Sequence, residues 1–406
     1  MSPIAAHLLT LALSISLATG LLTSAHASDA PSPFSLSGFG TIGAVRTDKD
    51  ARIFRSSTEQ ESGARTDFDL SVDSVLGLQG SLVLGNSIDL TVQSVVRKGV
   101  ADSYDPLLTW GFLRFQATPE VAVRAGRMRT PFFMYSDSVN LNYANPWVRP
   151  PVEVYSLNPF ADLNGIDALY RTPIGATDLE VHVFGGKSTL DVRHGAAKLQ
   201  AIRGVKAALS VSGLTPQAGY ARSNLSVQWG DPLFSLLNDQ LMATGNEHIA
   251  RDLSGNDSKA SFLSAGFQYD SDRLLLIGEY ARRSVDRYTV SSAGWYLTSG
   301  YRFGALTPYL TVARQSQTAP VTTGRSGVAP LDGLINLFNA TRNKPQRSTA
   351  IGLRWDAARN VAIKTQLERI QPGPNGLGIF LSDNIRDDAN PGGPVHVLSI
   401  SADFVF

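Results

Sequence analysis

The sequence predicts an all-β chain, a closed transmembrane antiparallel β-barrel of sixteen strands. Three observations predict it. Segments of about ten residues alternate apolar and polar side chains along almost the whole chain. The connections between them are by turns short and long. No run of eighteen apolar residues follows the N-terminal stretch, so helices are not the spanning elements. A barrel in lipid needs one apolar face toward hydrocarbon and one polar face toward a wet lumen, and closure removes every sheet edge. Mean hydropathy then falls near zero, and it is −0.04.

Residues Ile4 to Leu22 are mostly apolar and are followed by Ala25-His26-Ala27, a small-x-small site. This reads as a signal peptide, residues 1–27, cleaved after Ala27, although no Lys or Arg precedes the apolar stretch. Residues 28–406 are then a single barrel domain. With 36 basic and 35 acidic residues the chain carries a net charge of +1, which argues against a nucleic-acid partner. There is no cysteine, hence no disulfide, thiolate metal site or cysteine nucleophile.

Phe34–Arg46 is the first segment. Asp69–Val83 is the clearest, with Leu70, Val72, Leu76, Leu78 and Leu82 on one face and Asp69, Ser71, Asp73, Gln79 and Ser81 on the other. Gly85-Asn86-Ser87 turns the chain into a third segment that alternates Ile88, Leu90, Val92 and Val96 with Asp89, Thr91, Gln93 and Arg97. The pattern continues through Leu108–Ala117, Val121–Met128, Gly165–Thr172, Ala176–Lys187, Leu199–Ser212 and Pro216–Trp229. It resumes in Ala260–Tyr269, Arg273–Ser284, Tyr288–Phe303, Leu306–Gln315, Arg347–Asp356, Val361–Ile370 and Val395–Phe406. Short turns such as Thr118-Pro119-Glu120 and Gly213-Leu214-Thr215 alternate with long polar connections, among them Thr47–Phe68, Arg129–Asn164, Ser188–Lys198 and Ser316–Gln346. Only Val285–Arg287 breaks the alternation. Short turns on one rim, long loops on the other and an even strand number are the pattern of outer-membrane barrels, and sixteen strands leave an aqueous channel.

The longest irregular stretch, residues 129–164, holds arginines at its start, several aromatics and Pro146, Pro150 and Pro151 near its end. It is the candidate constriction loop, folding into the lumen. Arg97, Arg114 and Arg124 lie on three consecutive strands, and an arginine facing lipid near the midplane would cost about 2–4 kcal/mol. The candidate pore-lining group is therefore Arg97, Arg114 and Arg124 with Arg127 and Arg129 at the loop base. Asp137, Glu153, Asp162 and Asp167 are the candidate opposing acids. Basic rings favour anions, and opposed charges make a transverse field. Trp110, Trp229, Tyr269, Tyr301 and Trp355 are candidates for interfacial girdles.

The final strand alternates Leu398, Ile400, Ala402, Phe404 and Phe406 and ends on Phe406. Phe404 and Phe406 resemble the terminal signal that the bacterial barrel-assembly machinery recognises. Together with SGFGTIGAV (Ser37–Val45), SVLGLQGSL (Ser74–Leu82) and the terminal ADFVF, the chain resembles Gram-negative outer-membrane porins of the sixteen-stranded, general diffusion type. That resemblance implies a homotrimer in outer-membrane lipid, exported to the outer membrane of a Gram-negative bacterium. It also implies passive diffusion of small hydrophilic solutes and ions, with the third long loop as constriction. The loop departs from the family's acidic pattern, which turns the expectation toward anions. No cofactor is implied. Rival readings are a substrate-specific porin for an anion or a sugar, an outer-membrane hydrolase, and a plugged structural or adhesive barrel. His182, His194, His248 and His396 are scattered without metal-ligand spacing, and no G-x-S-x-G occurs, so the expectation is that the chain is not an enzyme.

Overall fold

The computed structural model describes residues 32–406 apart from 58, 193–194, 230–231, 375 and 382–392. The expected signal peptide lies outside the described residues. The strands are β1 (Phe34–Thr47), β2 (Val75–Val83), β3 (Ile88–Arg97), β4 (Leu107–Gln116), β5 (Val121–Arg129), β6 (Asp162–Ile174), β7 (Thr177–Val192) and β8 (Gly195–Ser210). They continue with β9 (Leu214–Trp229), β10 (Ser258–Asp270), β11 (Leu274–Val285), β12 (Ser291–Tyr301), β13 (Leu306–Ala319), β14 (Gln346–Ala358), β15 (Val361–Pro372) and β16 (Val395–Val405). Each pairs with its neighbours in sequence, and β1 pairs antiparallel with β16 from Phe39↔Val405 to Thr47↔Val397, which closes the barrel. Among the described residues, α-helices lie only in the long connections: α1 (Val152–Tyr155), α2 (Pro232–Ala243), α3 (Glu247–Leu253) and α4 (Ala329–Arg342).

The outer face is an apolar belt. Ile42, Leu78, Val92, Leu113, Ile166, Val183, Leu263, Leu297, Ile351 and Ile400 are all exposed, as a surface made for hydrocarbon requires. Tyr301 and Phe303 meet at 4.7 Å near the short-turn rim, and Trp355 is exposed there too. At the seam, Phe406 and Phe404 lie over Gly38 and Gly40 of β1, where any side chain would collide with their rings. The short turns use residues that tolerate their geometry: Ser212 and Gly213, between β8 and β9, have φ of 48° and 82°, the paired left-handed values of a two-residue hairpin turn.

Four expectations are corrected. The second strand begins at Val75, not Asp69, because Asp69 accepts hydrogen bonds from the backbone and hydroxyl of Ser71 (2.6 and 2.5 Å), and Ser74 bonds back to the Leu70 carbonyl (2.5 Å). These local bonds compete with the ladder. Val72 accordingly leaves the lipid face and packs in a small core with Phe54 and Phe380. Ser188–Lys198 is not a loop, since β7 runs to Val192 and β8 restarts at Gly195. Trp110 belongs to no girdle; it packs inside the barrel against Phe112, with ring centroids 6.0 Å apart.

The third correction has a physical cause. Strands β7, β8 and β9 have 16 residues each, whereas about 9–11 suffice to cross hydrocarbon. The surplus stands at the long-loop rim, and there the alternation inverts. Thr189, Lys198, Gln200, Asn224 and Ser226 face outward, while Leu190, Ala197, Leu199, Leu225 and Val227 face in. A polar outer face above the membrane reads as loop in a sequence scanned for a lipid belt.

Candidate functional site

The segment between β5 and β6 starts at a pinned base. Thr130 donates its backbone N–H to the Ala161 carbonyl (2.9 Å) and its hydroxyl to the Phe160 carbonyl (3.1 Å). From there its partners lie on the far strands. Glu279 of β11 accepts from the Met134 backbone (2.8 Å) and the Tyr155 hydroxyl (3.0 Å). Trp147 donates to Thr298 of β12 (2.9 Å) and Thr311 of β13 (3.2 Å), and its ring stands edge-on to Tyr135 and Tyr296, each 5.6 Å away. Lys364 of β15 donates to the carbonyls of Asn142 (2.6 Å) and Trp147 (2.8 Å) and pairs with Asp403 of β16 (2.8 Å). Arg149 grips Asp73 with two bonds (2.9 and 2.6 Å) and also reaches Ser399 of β16 (2.5 Å). Gly294 of β12 is required by this packing: a Cβ there would collide with the Glu153 carbonyl.

These contacts divide the interior unequally. The inner faces of β11–β16 are covered by the loop. The opposite wall keeps exposed charge, with Arg114, Arg171 and Glu180 side chains 41%, 64% and 39% accessible. Asp137 is the exposed acid on the loop, near enough to Arg124, Arg129 and Lys206 to act on their charges. A cavity of about 190 Å³ lies between the β1–β2 connection and the loop, lined by Glu59, Asp73, Arg97, Arg129 and Arg149 among others.

Most of the predicted arginines carry a carboxylate partner. Arg97 meets Glu59 at 2.6 Å, Arg114 meets Asp89 at 3.4 Å, and buried Arg129 meets Asp162 at 3.6 Å. Arg124 bonds Asp167 through both Nε (3.0 Å) and Nη2 (2.5 Å), and its guanidinium stacks 5.1 Å from the Phe112 ring centroid. His182 Nε2 lies 2.6 Å from the same carboxylate. Arg114 also bonds Gln116 and sits beside the short β4–β5 turn, at the opposite end of the barrel from Arg97. Arg127 is on the outer face: its register partner Asn164, which it bonds at 2.9 Å, alternates with the exposed Ile166. Glu153 faces the wall instead of the opposing arginines. It is fully buried and accepts from Gln346 of β14 at 2.7 Å. Burial pushes its carboxyl above the ordinary range, against the hydrogen bonds from Gln346 and Ser348 that pull it down. Burial also works against the Arg149 charge, but Asp73 more than offsets it and the guanidinium ends above its usual value.

No family model matches the sequence, and no curated protein matches it. Solved structures do. The outer membrane channel DcaP of Acinetobacter baumannii superposes with a TM-score of 0.56 at 12% identity, over 92% of this chain and 97% of that one. An anion-selective porin from Comamonas acidovorans gives 0.55 at 13%, over 92% and 99%. Salmonella typhi OmpF in complex with daunomycin gives 0.54 at 12%, over 91% and 97%. The chain has the fold of outer-membrane porins.

Within the porin fold, sequence reasoning missed several residues now found around the loop. Lys206 of β8 donates to the Phe133 carbonyl (3.1 Å), and Glu59 reaches Arg97 from a different connection. Neither has a local signature: the barrel register brings in Lys206, and the fold of the β1–β2 connection brings in Glu59. Asp73, on the polar face of the expected second strand, lies ahead of Val75 where β2 begins and anchors Arg149.

Proposed function

We propose that the chain is a diffusion channel of a bacterial outer membrane that passes small hydrophilic solutes and ions, without catalysis, as a homotrimer. The observation that carries this reading is the asymmetry of the lumen. Charged side chains on β4–β7 remain in contact with water, while the facing wall is sealed beneath the β5–β6 loop. Solute then travels between the loop and the β3–β8 wall, past Asp137 on one side and Arg97, Arg124 and Lys206 on the other. Opposed fixed charges across a narrow path orient and sort ions. Because most wall arginines are paired with carboxylates, a modest anion preference comes from Lys206, which among the described residues is held by the Phe133 carbonyl and by no carboxylate. Assembly into the outer membrane follows export and recognition of the terminal strand with Phe404 and Phe406.

Planar-bilayer recording in a salt gradient tests this. The expected result is ohmic conductance that appears in groups of three steps, with a reversal potential on the anion side. Purified, folded protein that forms no channels would sink the reading and favour a plugged barrel. One observation favours a more selective channel: the apolar inner surface of the long-loop vestibule.

A further inference from the structure

A wet lumen has no use for an apolar wall, yet the upper inner faces of β7–β10 form one. Leu190, Leu199, Leu225, Val227 and Phe262 line a cavity of about 160 Å³, closed on its other side by Phe132 and Phe160 of the loop. A void of about 150 Å³ lined by aliphatic and aromatic side chains accommodates one benzene ring. Among the described residues the edge of this cavity holds one cation, Arg283 of β11. Its Nη1 and Nη2 donate to the carbonyls of Leu157 (2.8 Å) and Val290 (3.0 Å). These neutral partners hold the guanidinium without cancelling its charge. Its Nε is buried and has no hydrogen-bond partner among the described residues. A buried N–H left unpaired carries a desolvation cost, and a charge-assisted bond to a ligand oxygen recovers it.

We propose that this cavity binds a monocarboxylate carried on a single apolar ring, the ring among Leu199, Leu225 and Phe262 and the carboxylate on Arg283. The site deepens, and rests on, the diffusion-channel reading, since it lies in the vestibule that solutes enter first. It turns the upper lumen into a capture site for small aromatic anions. Acetate lacks the ring and benzyl alcohol lacks the charge, so neither uses both halves of the site.

The test is direct binding to the detergent-solubilised full chain by titration calorimetry, with benzoate, acetate and benzyl alcohol as probes. Benzoate is expected to bind at least tenfold more tightly than either of the others. Arg283→Met should abolish the preference over benzyl alcohol, and Arg283→Lys should restore part of it. Leu225→Asn should reduce the preference over acetate. Equal binding of benzoate and acetate, or of benzoate and benzyl alcohol, overturns the site, and because the comparison uses the unmutated chain it does not depend on any variant folding. Conductance is recorded on the same preparation. Channels that conduct salt but show no preference for benzoate would remove this inference alone, whereas benzoate binding without conductance would remove the channel reading alone.

Discussion

Arg124 summarises how single side chains work in this lumen. It stands between a carboxylate that holds it and an aromatic ring that carries it, and the same Asp167 also serves His182. Replacing it by Glu sets two carboxylates side by side where a pair stood. The expected outcome is a reversal potential shifted toward cations, together with a loss of about 3–5 kcal/mol of stability from the broken buried pair. Asp137→Asn should shift the potential the other way, toward anions, with little effect on folding because Asp137 is exposed. An unchanged potential in both variants would put the selecting charges elsewhere. A second residue-scale effect is set by pH. Burial, then the charges of Arg55 and Arg283, lower the Lys344 ammonium from 10.5 to about 7. The consequence is read in stability, and Lys344→Met should remove it. Between about 7 and the ordinary lysine value the unfolded chain binds more protons than the folded one, so this residue makes stability rise with pH in that window. Pairing is what the sequence concealed at this scale. Arg97 and Glu59 lie 38 positions apart, and nothing in either neighbourhood marks the other.

At the scale of elements, the strands were legible because lipid imposes its period on them. All sixteen emerge near their expected places, and the errors fall where lipid stops acting. β2 lost its first residues to Asp69 and Ser74, whose side chains bond the backbone locally. The β7–β8 hairpin runs past its lipid-facing pattern because above the membrane its outer face turns polar. The loop was visible as an insert, but its partners were not, because they are spread over β8 and all of β11–β16. Trp147 is the element's main fastener. Trp147→Ala removes two hydrogen bonds and two edge-on ring contacts, worth about 3–5 kcal/mol by the usual cost of truncating a buried aromatic. The barrel ladder does not depend on it, so the expected result is a folded barrel with larger and noisier single-channel conductance. Unchanged conductance would mean that the loop holds its position without this anchor.

For the whole molecule, the fold was readable and the filling of its interior was not. Alternation, rims and the terminal Phe406 are properties of the chain's dealings with lipid, and lipid is a uniform solvent. The interior is shaped by one irregular segment whose aromatics, with Phe184, Phe262 and Tyr296 of the wall, form a continuous apolar core inside a barrel expected to be wet throughout. Chemical cross-linking in detergent should capture three chains as the largest discrete species, and a monomer alone would remove the trimer from the proposal. Lys364→Met leaves Asp403 without its cation and the Asn142 and Trp147 carbonyls without their donor. It should cost about 3–5 kcal/mol, read as a lower temperature for the shift in electrophoretic mobility that accompanies barrel unfolding. The same contacts impose an order of events. The middle of the loop is held by Lys364 through Asp403, and Arg149 is held by Ser399; both Asp403 and Ser399 belong to β16, the strand that closes the barrel against β1. The proposed constriction therefore cannot take its shape until β16 has met β1, and the width of the channel becomes a record of whether the ring was ever closed.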